Sequence, residues 1–75
     1  MSEGQHILLI EDDRRIREFV TSALEAEGYQ VAEAGTANWG MSEAARLKPD
    51  LLMLDLGLPD RDGVEFIRDY RGFQP

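Results

Sequence analysis

Acidic residues directly follow two apolar runs of this chain. The first run, residues 7–10, leads into the acids of residues 11–13, and the second, residues 51–54, ends on Asp55. If both runs are parallel strands, their carboxyl ends meet at one edge of a sheet, where open α/β sheets form their sites. Like charges that close repel each other, so a cation is needed to compensate them. A carboxylate beside a cation can be made to accept a phosphoryl group.

The donor atoms at this edge predict the kind of cation. Glu11, Asp12 and Asp55 offer oxygen ligands only. Such a set favours a hard ion such as Mg²⁺, which keeps several waters and takes one or two carboxylates. The backbone carbonyl of Gly57, in the turn after Asp55, could supply a further oxygen. Each acid alone also has a plainer interpretation, because acids stabilise helix N-termini, and either Asp12 or Asp13 can cap the helix that follows.

Hydrophobic periodicity predicts the elements that position these acids. Continuous apolar runs are typical of strands buried on both faces, and apolar residues at helical spacing are typical of helices packed on one side. Strands are expected at residues 6–10, 30–34 and 51–54, and helices at residues 14–27, from Thr36 as N-cap to Leu47, and from the turn at 60–63 to Gly72. The βαβαβα order predicts parallel strands and right-handed crossovers.

Each predicted helix has an expected inward face. In the first helix this face is an apolar stripe made of Ile16, Phe19, Val20, Ala23 and Leu24. In the second it is built of small residues, which predicts a close approach to the sheet: Ala37, Gly40, Met41 and Ala44. In the third helix Val64 and Ile67, with Tyr70, are expected to face inward. A solvated face of the first helix is expected for Arg14, Arg15 and Arg17, although Arg14 also lies close enough to the acids of residues 11–13 to interact with them.

Composition bounds the class of protein. The 75 residues have a hydrophobic content of 43%, no cysteine and a net charge of −7, as expected of one small globular domain without disulfides. No basic cluster is present, so this segment is not expected to bind nucleic acid or an anionic membrane surface. The apolar runs are too short to span a bilayer, and the polar residues 1–5 do not form a signal peptide. A cytoplasmic protein is predicted.

Three stretches of the chain together resemble the receiver domain of two-component response regulators. They are Leu9–Asp13, Pro49–Asp55 and Leu58–Gly63, and they match the family in order and spacing. The turn at 57–60 followed by Val64–Arg68 is most similar to potassium-uptake regulators of the winged-helix (OmpR/PhoB-like) class. The resemblance implies a flavodoxin-like, doubly wound parallel α/β sheet, truncated here to βαβαβα with strand order 2-1-3.

The resemblance also implies a role for each site residue. Asp55 would be the phosphoacceptor, attacking phosphohistidine on a sensor histidine kinase. Asp12 would ligate Mg²⁺ directly and Glu11 through water, with Asp55 and the Gly57 carbonyl completing the protein ligands. Such a module is not an enzyme in its own right. DNA would be bound by a separate C-terminal domain of a longer transcriptional regulator.

Against the family pattern, residues 1–75 correspond to the N-terminal part of a receiver domain. The fourth and fifth βα units are expected to be missing, as is the DNA-binding domain. In the family, the fourth strand ends in a phosphoryl-binding Thr or Ser and the fifth strand ends in a Lys. Without the fourth strand, residues 51–54 form an apolar edge, and such edges recruit other strands. A symmetric homodimer that pairs this strand with its twin in antiparallel fashion is therefore expected.

Three other functions compete with the phosphoacceptor. An enzyme with an aspartyl nucleophile usually has a second acid two residues later, and Gly57 occupies that position. A nucleotide-binding βαβ unit needs a glycine-rich phosphate loop after the first strand, which this sequence lacks. The last alternative, a fragment that acts only in assembly and has no working phosphorylation site, stays open.

Overall fold

The computed structural model describes residues 5–55 and 57–72 of the chain. Strands and helices alternate, as predicted, and each bound agrees with the sequence-based expectation to within one residue. The elements are β1 (His6–Ile10), α1 (Arg14–Ala26), β2 (Gln30–Ala34), α2 (Ala37–Leu47), β3 (Leu51–Leu54) and α3 (Gly63–Gly72). The expectation about a signal peptide rests on residues 1–5, of which residues 1–4 lie outside the described part of the chain.

The three strands form one parallel sheet with β1 in the middle. The order is β2-β1-β3, which confirms the predicted 2-1-3 arrangement. Ile10 is in register with Ala34 of β2 and with Leu54 of β3. The ladder continues one residue further, because the N–H of Glu11 donates to the Ala34 carbonyl at 3.1 Å and the N–H of Asp55 to the Ile10 carbonyl at 3.0 Å. Residues 11 and 55 therefore leave the sheet at the same edge.

The core lies between the sheet and the helices α2 and α3. Its buried residues are Leu8, Ile10, Ala34, Ala37, Ala44, Leu58 and Phe66. The close approach of α2 to the sheet is confirmed at Gly40, where an added Cβ would lie only 2.7 Å from Cγ1 of Ile10. A side chain at position 40 would therefore push the helix away from the strand that carries the first acids.

An N-cap residue and a glycine mark the two ends of α1. Asp13 is the N-cap, and its carboxylate accepts hydrogen bonds from the N–H groups of Arg15 and Ile16 at 2.9 and 3.2 Å. Gly28, just beyond the C-terminus, has a φ of +96°, a left-handed conformation that costs glycine little. Because Asp13 is engaged as a cap, α1 begins directly after Glu11 and Asp12.

Two predicted helix faces are partly wrong. On α1, Ile16, Phe19 and Ala23 are exposed, Phe19 by 75%, while the half-buried Val20 and Leu24 lie nearer the sheet. An apolar stripe predicts which side of a helix faces the core. Among the described residues, however, the sheet covers only the part of the stripe that contains Val20 and Leu24.

On α3, the fully buried residue is Phe66, and Val64 and Ile67 are exposed, Val64 by 58%. Phe66 and Tyr70 lie one helical turn apart with their rings stacked at 6.4 Å, and they form the inward face. The predicted inward position of Tyr70 is therefore confirmed, whereas Phe66 occupies the buried position that was expected for Val64 and Ile67. No helix among the described residues has the length and apolar character needed to cross a membrane.

Candidate functional site

A cluster of carboxylates lies at the carboxyl edge of β1 and β3. Each of Glu11, Asp12 and Asp55 contributes an oxygen, and these atoms all lie within 4.8 Å of one another. Glu11 and Asp55 are half-buried, and Asp12 is exposed. The predicted convergence of the three acids is thus confirmed, and their role as metal ligands stays a prediction. We refer to these residues as the carboxylate cluster.

Backbone N–H groups orient two of the three carboxylates. The N–H of Asp13 donates to Oε2 of Glu11 at 3.0 Å, and the N–H of Gly57 donates to Oδ1 of Asp55 at 2.9 Å. Both are short-range turns in which a side chain accepts from the backbone two residues on. The turn at Gly57 is therefore tied to the Asp55 side chain, whereas the use of the Gly57 carbonyl as a ligand stays a prediction.

The electrostatics of the cluster are unfavourable without a cation. The pKa of Glu11 is raised above its ordinary value, first by burial and then by the negative charges of Asp55 and Asp12, while the N–H of Asp13 acts in the opposite direction. A raised pKa means that the ionised form of Glu11 is disfavoured where it stands. An all-oxygen set of this charge fits a hard divalent ion, with Mg²⁺ as the ion that needs the fewest protein ligands.

Arg17 contacts the backbone of the cluster, which the sequence analysis missed. Its Nη1 donates to the carbonyl of Glu11 at 2.7 Å, and its Nε donates to Oε1 of Glu33 at 3.0 Å. The side chain is only 20% exposed. The expectation of a solvated arginine face is therefore wrong for Arg17, and it holds for Arg14, which pairs with Glu18 on the surface of α1. The carboxylate and the carbonyl thus accept from two of the nitrogens of the Arg17 guanidinium, Nε and Nη1.

Asp60 links the loop after β3 to the start of α2 by hydrogen bonds. Its position in a predicted turn gives no indication of this contact. Its carboxylate accepts from the N–H groups of Ala37 and Asn38 at 2.8 and 3.0 Å. These hydrogen bonds, that from Ala37 first, lower the pKa of Asp60. Thr36, the predicted N-cap, accepts from the next N–H, that of Trp39, at 3.1 Å. The free N–H groups of the first helical turn are thereby satisfied.

The chain matches a known family over most of its length. Residues 7–75 match the family model described as "Response regulator receiver domain". The chain is 56% identical over 66 residues to the KDP operon transcriptional regulatory protein KdpE of Escherichia coli K12, which agrees with the predicted resemblance to potassium-uptake regulators. This match covers 88% of the chain and 29% of KdpE, so the chain spans less than a third of that relative.

Solved structures show the same arrangement of strands and helices. A CheY-like response regulator receiver domain protein from Methanospirillum hungatei superposes with a TM-score of 0.91 at 32% identity, covering 96% of this chain and 58% of that one. The BeF3-activated N-terminal receiver domain of RstA from Klebsiella pneumoniae superposes with a TM-score of 0.87 at 31% identity, covering 93% and 60%. The predicted flavodoxin-like fold is confirmed by these similarities.

Proposed function

The chain belongs to the response regulator receiver-domain family, and on that basis we propose that it is a Mg²⁺-dependent phosphoacceptor module of a two-component system. Asp55 is the proposed acceptor, and the donor is phosphohistidine on a sensor histidine kinase. The observation that carries the proposal is the carboxylate cluster, whose oxygens lie within 4.8 Å of one another at the carboxyl edge of the parallel sheet. In open α/β sheets ligands bind at this edge.

Four residues would hold the metal ion. Asp12 and Asp55 are the proposed carboxylate ligands, Glu11 would act through water, and the Gly57 carbonyl would add a neutral oxygen. Bound Mg²⁺ supplies positive charge that offsets both the carboxylates and the phosphoryl oxygens. The N–H of Gly57, already 2.9 Å from Oδ1 of Asp55, holds the acceptor side chain in place for the reaction. Positioning and charge compensation of this kind account for most catalysis of phosphoryl transfer.

The transfer itself is a substitution at phosphorus. A carboxylate oxygen of Asp55 forms a bond to phosphorus while the bond between phosphorus and the ring nitrogen of phosphohistidine breaks. The electron pair of that broken bond stays on the kinase histidine, which takes up a proton from solvent. The product is an acyl phosphate on Asp55. The protein is consumed as a substrate in this step, so we propose that it signals and is not an enzyme in its own right.

The proposal is tested with a small phosphodonor. Incubating the protein with acetyl phosphate and Mg²⁺ is expected to add the mass of one phosphoryl group, and Asp55→Asn removes the acceptor and should abolish the addition. Asp62→Asn is a matched control in the same loop, since its side chain accepts only from the nearby N–H of Val64 among the described contacts. A phosphoryl mass that persists in Asp55→Asn, or that never forms in the wild type, would end this assignment.

We further propose that the chain is the N-terminal part of a receiver domain in a longer, cytoplasmic transcriptional regulator. KdpE is named a transcriptional regulatory protein and is more than three times as long as the matched segment, which is 29% of it. DNA binding would then belong to another domain, since the net charge of −7 in this chain opposes contact with phosphates.

Self-assembly through β3 is the second candidate function. Among the described residues β3 pairs with β1 on one side only, and Leu51 is 53% exposed. An apolar strand with a free edge is a template for pairing with another chain. We propose a two-fold homodimer in which the two copies of β3 pair in antiparallel fashion, independently of any phosphorylation.

A further inference from the structure

Arg17 joins three segments of the chain beside the carboxylate cluster. From the second turn of α1 it donates to the carbonyl of Glu11, at 2.7 Å, and to the carboxylate of Glu33 on β2, at 3.0 Å. Its Nη1 also lies close to the backbone after β2, where a Cβ on Gly35 would be 3.3 Å away. The guanidinium therefore occupies a fitted position between the end of β1, the end of β2 and the start of α1.

The hydrogen bond to Glu11 constrains more than one residue. The carbonyl of Glu11 and the N–H of Asp12 belong to the same planar peptide group, so a donor that holds this carbonyl fixes the orientation of both residues. The preceding peptide group is held by the hydrogen bond from Glu11 N–H to the Ala34 carbonyl at 3.1 Å. With both peptide groups held, the direction in which the Glu11 side chain leaves the backbone is set. The next peptide group is held by the hydrogen bond from Asp13 N–H to Oε2 of Glu11, at 3.0 Å, which sets the direction of the Asp12 side chain.

The charge of Arg17 makes this placement informative. A cation beside a site for another cation weakens binding by repulsion, so charge alone gives no reason to place arginine there. Its ion pair with Glu33 offsets that charge, and its side-chain contact with the site is to a backbone carbonyl, not to a carboxylate of the cluster. The hydrogen bond from Arg17 to the Glu11 carbonyl therefore fixes the position of the backbone and adds no favourable charge to the site.

We propose that Arg17 is a positioning residue of the metal site: it orients the peptide group between Glu11 and Asp12 and so presents their carboxylates to Mg²⁺. This inference rests on the proposed function, because it assumes that the cluster binds Mg²⁺. Partners that orient metal ligands in this way change metal affinity by about 10-fold to 100-fold when they are removed.

Three variants distinguish the positioning effect of the Arg17 side chain from the effect of its positive charge. Arg17→Met keeps the apolar stem and removes every donor, and Arg17→Lys restores the charge and a single-point donor without the planar fork. Arg14→Met is the matched control, because it removes the same charge from the same helix, where Arg14 pairs only with exposed Glu18 among the described contacts. Mg²⁺ affinity is measured by calorimetry on each folded variant, alongside thermal unfolding.

A positioning role and a simple charge effect of Arg17 predict opposite changes in Mg²⁺ affinity for Arg17→Met. If Arg17 positions the ligands, Arg17→Met binds Mg²⁺ about 10-fold more weakly or worse, Arg17→Lys lies in between, and Arg14→Met is not weakened. If Arg17 is merely a nearby positive charge, Arg17→Met binds Mg²⁺ as tightly as the wild type or more tightly, and the inference is overturned. Should Arg17→Met fail to fold, Arg17→Lys decides, and unchanged affinity in it contradicts the inference.

Metal-free spectra distinguish this inference from the proposed function. In the absence of Mg²⁺, Arg17→Met should shift the backbone amide resonance of Asp12 and the Glu11 carbonyl resonance, and Arg14→Met should leave both in place. If the wild type shows no Mg²⁺ binding, the proposed function fails, and these resonances still decide whether Arg17 orients the peptide group. Resonances that stay unmoved in Arg17→Met refute the positioning role.

Discussion

At the scale of single residues, Glu11 is the member of the carboxylate cluster whose ionised form is disfavoured. Burial and the charges of Asp55 and Asp12 raise its pKa. Two unit charges about 4 Å apart repel by roughly 1 kcal/mol in water and roughly 4 kcal/mol near a protein surface. A core of this size supplies only about 3–5 kcal/mol of net stability. Repulsion within the cluster is therefore a substantial destabilising contribution, which a bound cation would relieve.

Asp60 contributes stability that depends on pH. Hydrogen bonds from the N–H groups of Ala37 and Asn38 lower its pKa below the ordinary value of 3.8. A lowered carboxyl pKa contributes stability that is present above the ordinary pKa and is lost as pH falls through the lowered one. Denaturant unfolding should therefore show Asp60→Asn less stable than the wild type at neutral pH, with the difference closing in strong acid.

A control variant makes the Asp60 result specific. Glu25→Gln changes a charge on the exposed surface of α1, and such substitutions usually stay within about 0.5 kcal/mol of the wild type. It should follow the wild type across the same pH range. A difference between Asp60→Asn and the wild type that is unchanged from neutral pH to strong acid would show that the Asp60 contribution does not arise from its ionisation.

The residue types at the site could be read from the sequence, and their long-range partners could not. Glu11, Asp12 and Asp55 were predictable because each follows an apolar run, and strand ends converge in a parallel sheet. Arg17 reaches Glu33 across 16 residues, and Asp60 reaches Ala37 across 23. Neither pairing leaves a local pattern; the only signal for Asp60 was an acid in a turn that lies beside a helix N-terminus in this fold.

At the scale of elements, the bounds of strands and helices were predictable and the buried faces of two helices were not. Caps and breakers such as Asp13, Gly28 and Pro49 mark where elements begin and end. Periodicity shows that α1 has an apolar stripe, but which edge of the stripe meets the sheet depends on the packing angle. On α3, the large aromatic side chain of Phe66 is buried in place of Val64 and Ile67, and Tyr70, which was expected to face inward, is partly buried beside it.

At the scale of the whole molecule, we propose that β3 mediates self-association, because among the residues that the structure describes it pairs with β1 alone. Sedimentation velocity at micromolar concentration should reveal a species of twice the chain mass, and substituting the exposed Leu51 by Lys should shift it to the monomer, because charged residues on an edge strand oppose pairing. Leu47→Lys is a control at another exposed apolar position, on α2, away from that edge. A well-folded wild-type chain that stays monomeric would rule out the homodimer.

The central claim is that Glu11, Asp12 and Asp55 together bind one hard divalent ion. A Mg²⁺ titration followed by the side-chain carboxyl resonances of these residues tests it most directly. The three resonances should shift together and saturate, and Asp12→Asn should weaken binding by more than about 10-fold, since loss of a mere supporting partner costs that much. Asp13→Asn, which removes an adjacent charge but retains the helix cap, should bind nearly as well as the wild type. Resonances that shift independently, or equal weakening in Asp12→Asn and Asp13→Asn, would contradict a shared site.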